Sequence, residues 1–267
     1  MRKIILFSLV ICIMNSCKKN VHTNEIAKIS TERYQYLNKT VIEKDSVVTI
    51  IFPSKDGLLI TADVYRVNDN PITILLCHQA GFSRGEYKDT AHRLNKLGYS
   101  AIAIDQRSGK VANAVVNETA KRAENKNLPA NYADARQDIE AAIDYVYTNN
   151  SSSPIVLIGS SYSASLALLI GDSNQKIKAV AAFSPGEYFR DVSIMDNIKT
   201  YDKPVFVTSS MKETDKLMTL VSKIDEAHLT HYRPTESGIH GSRALWSSTK
   251  GTENYWKAFI AFLETVN

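Results

Sequence analysis

The chain has 267 residues, of which 44% are hydrophobic, and a net charge of +4 at pH 7. A chain of this length builds one domain with a large hydrophobic core, and its interspersed lysines and acids exclude the charge pattern of a nucleic-acid-binding protein. Two of the three cysteines lie in the first 17 residues, so the remaining Cys77 cannot form an internal disulfide. No zinc-type spacing of cysteine and histidine occurs, and we expect neither a metal nor an organic cofactor.

The first 17 residues have the pattern of an export signal. Arg2 and Lys3 precede an apolar segment over residues 4–14, which is too short to cross a bilayer as a helix. The segment ends in Met14-Asn-Ser-Cys17, which resembles the lipobox of bacterial lipoproteins and implies that Cys17 carries a lipid anchor. An ordinary signal peptide, cleaved nearby, is the alternative. Loss of this segment would lower the net charge from +4 to +2.

Residues 18–45 are polar and weakly periodic, and we interpret them as a tether between a membrane and the folded domain. We therefore expect an exported protein that a lipid anchor holds to the bacterial cell envelope. The predicted domain covers residues 46–267.

The domain begins with a predicted hairpin and continues as alternating strands and helices. Two β-rich runs, at residues 47–52 and 59–65, flank a turn that contains Asp56-Gly57. Apolar runs and helical periodicity then alternate, which predicts an α/β fold with a mostly parallel sheet covered by helices on both faces. The later predicted strands cover residues 72–77, 100–104, 155–158, 179–183 and 205–208. In such sheets ligands bind at the carboxyl ends of the strands.

One of these strand ends carries a candidate nucleophile. The strand that ends near Ile158 runs into Gly159-Ser-Ser-Tyr-Ser163 and then into a helix. This segment resembles the G-x-S-x-G elbow of the α/β-hydrolases, with Ser163 in place of the second glycine, and it implies that Ser161 is the nucleophile. A serine hydroxyl needs an adjacent base to act in this way.

In α/β-hydrolases the acid and then the histidine follow the serine in the chain. Three histidines follow Ser161. His228 and His231 lie in a predicted strand, whereas His240 lies in a glycine-flanked loop before the last helix, and we predict His240 as the base.

The acid of the predicted triad is Glu213, in the loop after the strand that ends at Thr208. Asp215 in the same loop is the alternative. Glu187, one strand earlier, is a third candidate.

Two backbone N–H groups are expected to stabilise the oxyanion. One belongs to Tyr162, which follows the nucleophile. The other belongs to the loop His78-Gln-Ala-Gly81, which resembles the His-Gly-x-Gly loops of esterases. Ala80 is the predicted donor and Gln79 the alternative, and His78 is expected to shape the loop.

Residues 110–132 form a polar insertion after the fourth strand of the domain, and we interpret it either as a small lid over the site or as a solvated excursion. Arg107, Tyr162 and Tyr188 are candidates to line the substrate site, although an arginine here often makes structural hydrogen bonds and a tyrosine at a strand end often packs.

From about residue 47 to its end, the chain resembles the dienelactone-hydrolase-like branch of the α/β-hydrolases. Besides the elbow and the His78 loop, three motifs support the resemblance: Asp105-Gln-Arg-Ser-Gly109, Ser184-Pro-Gly-Glu-Tyr-Phe189 and His240-Gly-Ser-Arg-Ala-Leu-Trp246. Dienelactone hydrolases carry a cysteine at the elbow, so Ser161 favours hydrolysis of a small carboxylic ester. A peptidase that uses the same triad, and a non-catalytic binding protein of the same fold, are the alternatives.

Overall fold

In the computed structural model, residues 47–67 and 71–266 are described, and an antiparallel hairpin opens this part of the chain. Strands β1 (Val47–Pro53) and β2 (Leu59–Tyr65) pair from Val47 opposite Tyr65 to Pro53 opposite Leu59. Gly57 has a φ of +82° in the turn, a conformation that glycine adopts without strain. The predicted hairpin is confirmed.

Eight of the described strands form the main sheet, in the order β1-β2-β4-β3-β7-β8-β9-β10. Among the described strands of this sheet, the β1–β2 and β2–β4 pairs are antiparallel and every other pair is parallel. The remaining strands of the main sheet are β3 (Thr73–Cys77), β4 (Ser100–Ile104), β7 (Ile155–Ser160), β8 (Ile177–Phe183), β9 (Val205–Thr208) and β10 (Leu229–Tyr232).

Helices connect the parallel strands, as crossovers between parallel neighbours require. The described α-helices are α1 (Lys88–Lys96), α2 (Glu118–Asn125), α3 (Arg136–Asn149), α4 (Tyr162–Ser173), α5 (Ile194–Asn197), α6 (Thr214–Leu220) and α7 (Thr252–Thr265). Short 3₁₀ turns occur at Arg84–Tyr87, Ala133–Ala135, Met211–Glu213 and Gly241–Leu245.

The strand β3 shows why the sheet has helices on both faces. All five of its residues are buried, and successive side chains point to opposite faces. Leu75 and Cys77 belong to one hydrophobic cluster, while Ile74 and Leu76 belong to the other. A strand that is buried on both sides reads as a continuous apolar run, and the predicted covered parallel sheet is confirmed.

The last helix, α7, packs an aromatic face on the sheet. The Phe259 ring contacts Phe183 of β8 and Phe206 of β9, with ring centroids 5.7 and 5.5 Å apart. Phe262 is also buried, and its ring centroid lies 5.6 Å from that of Phe206. Burial of these rings holds α7 against β8 and β9.

The insertion at residues 110–132 contains regular structure that its sequence pattern did not predict. Strands β5 (Val111–Ala112) and β6 (Val115–Val116) form a small hairpin, and α2 follows. The hairpin lies against Gly85, where an added Cβ would be 2.2 Å from the Ala112 carbonyl oxygen. This tertiary contact, rather than local periodicity, defines the hairpin.

Within the described ranges, no helix is long and apolar enough to cross a membrane. The predicted signal at residues 1–17, with Cys17, and the predicted tether at residues 18–45 lie outside these ranges.

Candidate active site

Ser161 lies in the tight turn between β7 and α4. Its φ and ψ are 58° and −122°, a conformation that costs about 1–3 kcal/mol for a residue other than glycine. A Cβ added to Gly159 would lie 2.3 Å from the carbonyl oxygen of Ser163, so only glycine fits there. The turn presents Ser161, which is 7% exposed, at the carboxyl edge of the sheet.

Ser163, where the elbow pattern has glycine, has a structural use in this chain. Its hydroxyl donates to the carbonyl oxygen of His78 at 2.6 Å and accepts from the side-chain amide of Gln106 at 2.6 Å. The serine is fully buried and its polar atom is satisfied, so the departure from the pattern ties the elbow to the two neighbouring loops.

Three side chains that are distant in sequence meet at this turn. The Oγ atom of Ser161 lies 2.8 Å from Nε2 of His240, and Nδ1 of His240 lies 2.5 Å from Oε1 of Glu213. An ionised carboxylate can only accept, so Nδ1 carries the imidazole proton and Nε2 accepts from the serine hydroxyl. This is the geometry that a serine needs to lose its proton.

Other hydrogen bonds keep Glu213 ionised. Burial raises the pKa of Glu213, but hydrogen bonds from His240 and Ser210 outweigh burial and lower it to about 2. Oε2 accepts from the backbone N–H and hydroxyl of Ser210, at 3.1 and 2.7 Å, and from the hydroxyl of Ser184 at 3.0 Å. Glu213 is therefore a fixed anion beside the imidazole.

The other two candidate acids lie elsewhere. Asp215 is exposed in the first turn of α6 and makes no hydrogen bond to His240. The Glu187 carboxylate accepts from the N–H groups of Ile194 and Met195, at 2.7 and 3.1 Å, and so caps α5. Of the three acids, the structure brings only Glu213 to the histidine.

The two remaining downstream histidines also lie away from the serine. His231 is in β10, the edge strand, and His228 immediately precedes this strand. Burial lowers the pKa of His231 to about 4. No hydrogen bond of the described residues joins either ring to Ser161 or Glu213.

The backbone N–H groups expected in the oxyanion hole are oriented by their neighbours. The N–H of Tyr162 is the first of α4 and has no acceptor within the helix. The carbonyl oxygen of Gln79 accepts from Nδ1 of His78 at 2.9 Å and from the N–H of Phe82 at 3.2 Å. The Gln79 carbonyl therefore points toward the His78 ring. The C=O of Gln79 and the N–H of Ala80 belong to one trans peptide and point in opposite directions, so the Ala80 N–H points away from that ring.

The alternative donor, Gln79, needs correction. Its backbone N–H already donates to Oε2 of Glu86 at 2.8 Å, and Glu86 is fully buried. This amide is therefore not free to bind an oxyanion, whereas no hydrogen bond of the described residues uses the Ala80 N–H.

His78 is buried and serves as a fixed part of this loop. Its Nδ1 donates to Gln79, and its Nε2 accepts from the N–H of Gln106 and the side-chain amide of Asn117, both at 3.1 Å. Burial lowers the pKa of His78 to about 4, so the ring is neutral near pH 7.

Arg107 does not offer its charge to a substrate. It contributes to the wall of a cleft, but its side chain is 1% exposed. Its guanidinium binds Asp138 at 2.8 Å and Asp56 at 2.8 Å, which makes it a structural ion pair. Of the two roles that the sequence left open for Arg107, the structural one accounts for its charged groups.

Tyr188 lies at the site, as expected of a lining residue. It is 37% exposed, its hydroxyl donates to the carbonyl oxygen of Ser184 at 3.1 Å, and it lies close to the Ser161 hydroxyl. The Tyr162 side chain, in contrast, is fully buried.

Two open clefts are lined by residues that neighbour this turn in the structure. One, of about 990 Å³, is lined by Ala80 and the insertion, and the other, of about 740 Å³, is lined by Tyr188 and the residues after it. They share a wall that includes Tyr132, whose ring stacks on that of Tyr162 with centroids 4.6 Å apart. The insertion thus forms one side of both clefts.

Three residues that support the site, Ser210, Ser184 and Glu86, were not predicted from the sequence. Ser210 and Ser184 hold Glu213, and the Ser184 hydroxyl also accepts from the N–H of Gly241, next to His240, at 2.9 Å. Glu86 is the third. Ser184 lies in a motif that carried the family resemblance, but nothing local marks the other two. No group of three or more histidine, cysteine or acidic side chains in the described ranges has an arrangement that could hold a metal ion.

The profile of the family described as serine aminopeptidase, S33, matches residues 69–257, which is more than half of the chain. The chain belongs to this family. Known structures share its fold: an esterase from Pyrococcus furiosus superposes with a TM-score of 0.65 at 15% identity, over 83% of this chain and 93% of that one. None of the curated proteins matches this chain.

Two further known structures share the fold. A putative dienelactone hydrolase from Klebsiella pneumoniae gives a TM-score of 0.59 at 15% identity, over 82% of this chain and 98% of that one. An acylaminoacyl peptidase from Pyrococcus horikoshii gives 0.62 at 15% identity, over 87% of this chain but 43% of that one. The α/β-hydrolase fold is thereby shown, and family and fold together indicate a serine hydrolase.

Proposed function

We propose that this chain is a serine esterase that cleaves a small carboxylic ester through an acyl-serine intermediate. The observation that carries the proposal is the continuous relay from Ser161 through His240 to Glu213, with distances of 2.8 and 2.5 Å. The strained turn that places the serine at the carboxyl edge of the sheet supports it independently.

In the proposed mechanism, Nε2 of His240 takes the hydroxyl proton while Oγ of Ser161 attacks the ester carbonyl. The anion of Glu213 stabilises the imidazolium and keeps Nδ1 protonated. The N–H groups of Tyr162 and Ala80 bind the oxyanion of the tetrahedral intermediate. The imidazolium then donates its proton to the leaving alkoxide, and water, deprotonated by the same nitrogen, hydrolyses the acyl-serine.

An ester is favoured over a peptide with a free amino terminus. The charged amino terminus of such a peptide would need an unpaired carboxylate beside the nucleophile to bind it. Near the elbow, Glu213 is committed to His240, and Glu86 is fully buried. The carboxylates that line the clefts, Glu124 and Asp191, share the cleft walls with basic side chains. The walls of the two clefts mix charges: Lys110 and Lys121 with Glu124 in one, and an adjacent Arg190-Asp191 pair in the other. A neutral ester whose acyl and alcohol parts enter different clefts suits this arrangement.

We include in this proposal that residues 110–132 act as a small lid. The support is the position of this segment: Tyr132, at its end, lies in the wall shared by both clefts.

A peptidase remains the second candidate function, because the family is described as serine aminopeptidase and the same triad cleaves amides.

The decisive experiment is labelling with a fluorophosphonate probe, followed by kinetics. The wild-type domain should be labelled and Ser161→Ala should not, while Ser173→Ala, which removes an exposed serine at the far end of α4, should be labelled normally. Absence of Ser161-dependent labelling would favour a binding protein of this fold.

Short and long p-nitrophenyl esters should then be compared with aminoacyl p-nitroanilides. Faster turnover of the esters supports the proposal, whereas selective hydrolysis of the anilides would identify a peptidase.

We also propose that the protein is exported and anchored by a lipid on Cys17. The support is the signal-like segment and its lipobox-like end. In a bacterial host, Cys17→Ser should move the protein from the membrane fraction to the soluble fraction. Unchanged membrane association would contradict the anchor.

A further inference from the structure

Glu86 is a buried acid that none of the proposed chemical steps uses. It lies in the 3₁₀ turn Arg84–Tyr87 and has no exposed surface. No ion pair of the described residues includes it. A buried carboxylate without a paired cation is costly unless hydrogen bonds surround it, so its donors indicate why it is there.

The donors to Glu86 come from three different loops. Oε2 accepts the backbone N–H of Gln79 at 2.8 Å, and Oε1 accepts the hydroxyls of Ser160 at 2.8 Å and Ser242 at 2.5 Å. Each of these residues adjoins a proposed catalytic group. Gln79 precedes Ala80, Ser160 precedes Ser161, and Ser242 is two residues beyond His240.

Two further contacts close the cluster. The N–H of Ser242 donates to the hydroxyl of Ser160 at 2.9 Å, and the indole of Trp246 donates to the carbonyl oxygen of Glu86 at 2.7 Å. There is no spare room, because a Cβ on Gly241 would lie 2.6 Å from Oγ of Ser160. The three loops therefore share one small, closely packed, hydrogen-bonded centre.

We propose that Glu86 is a positioning residue, which holds the oxyanion loop, the nucleophile elbow and the histidine loop in one mutual arrangement. The inference rests on the proposed serine esterase function and adds a residue to it. Gln79 links the carboxylate to the next peptide group, which carries the Ala80 N–H. Ser160 and Ser242 link the carboxylate to the segments that carry Ser161 and His240, between which the proton is transferred. Such contacts act on the transition state, where small displacements of these groups reduce the rate.

The test is Glu86→Gln in the whole protein, with a short p-nitrophenyl ester as substrate. The glutamine amide keeps the size of the side chain but replaces one carboxylate oxygen with an NH₂ group. This group donates and cannot accept the hydrogen bonds that the oxygen accepted. We expect kcat to fall at least tenfold while KM changes less than twofold, and fluorophosphonate labelling of Ser161 to slow in parallel. Loss of a donor in an oxyanion hole lowers kcat about 10²- to 10³-fold, and this is the largest fall in kcat that we expect for Glu86→Gln.

The matched control is Asp138→Asn. Asp138 is also a fully buried carboxylate with several hydrogen bonds, but its partners are Arg107 and Ser54 rather than the three loops. We expect it to lower the melting temperature and to keep kcat per folded molecule. A Glu86→Gln protein that loses thermal stability but keeps kcat within twofold would overturn the inference.

If Glu86→Gln does not fold, Ser160→Ala and Ser242→Ala carry the test, since each removes one link. Each should lower kcat about threefold or more, and the double variant should lose less than the product of the two effects, because both act through Glu86. Normal kcat in both would overturn the inference. Failure of the esterase proposal is seen separately, as absence of Ser161-dependent labelling in the wild-type protein.

Discussion

Replacement of Glu213 by glutamine probes the link between the acid and the imidazole. Oε1 of Glu213 accepts from His240 at 2.5 Å, and Oε2 accepts from Ser210 and Ser184. A glutamine has a single oxygen for these two positions. Its NH₂ group must therefore face either Nδ1 of His240 or the N–H of Ser210.

The size of the effect follows from which way the amide turns. If the oxygen stays on Nδ1, a charge-assisted hydrogen bond worth about 1.5–3 kcal/mol becomes a neutral one worth about 0.5–1.5 kcal/mol. The loss of about 1–1.5 kcal/mol lowers kcat roughly 5- to 13-fold. If the NH₂ group faces Nδ1, the imidazole proton moves to Nε2, which can no longer accept from Ser161, and the loss approaches about 10⁴-fold. We expect kcat to fall within this range with little change in KM.

The assay is steady-state hydrolysis of a p-nitrophenyl ester, with folding checked by circular dichroism. Asp215→Asn is the matched control, because Asp215 is exposed two residues away, and it should keep kcat within twofold. A near-normal rate for Glu213→Gln together with a collapse for Asp215→Asn would refute the reasoning.

Three further outcomes follow from the same geometry. Gly241→Ala should lower kcat at least tenfold and reduce the melting temperature, because Gly241 has a φ of +75° and its added Cβ would press on Ser160; unchanged kinetics would contradict this. Tyr132→Ala should change the ratio of kcat/KM between long and short acyl esters at least fivefold, whereas Tyr132→Phe, which keeps the stack on Tyr162, should preserve it. The folded-state pKa of Glu213, about 2, lies below its ordinary 4.5, so Glu213 adds stability above pH 4.5 that is lost as the pH falls toward 2; urea unfolding should show a flatter pH dependence for Glu213→Gln in this window, and equal slopes would refute it.

Local patterns were enough to predict most of the fold. The apolar run at β3 predicts a strand covered on both faces, and the structure confirms this.

The hairpin and helix within residues 110–132, in contrast, could not be predicted from the sequence. The turn residues of the hairpin, Asn113 and Ala114, have positive φ without being glycine, and the hairpin depends on its contact with Gly85.

The strand–turn–helix segment around Ser161 is predictable from local sequence, because Gly159 and the apolar run before it act through local sterics and periodicity. Tertiary packing, in contrast, sets which acid reaches His240 and which loop amide is free to donate a hydrogen bond. Glu213 and Asp215 are two residues apart and chemically equivalent, but the turn before α6 directs one inward and leaves the other in solvent. The Gln79 amide is occupied by Glu86, and a hydrogen bond between groups from different loops depends on packing that no local pattern encodes.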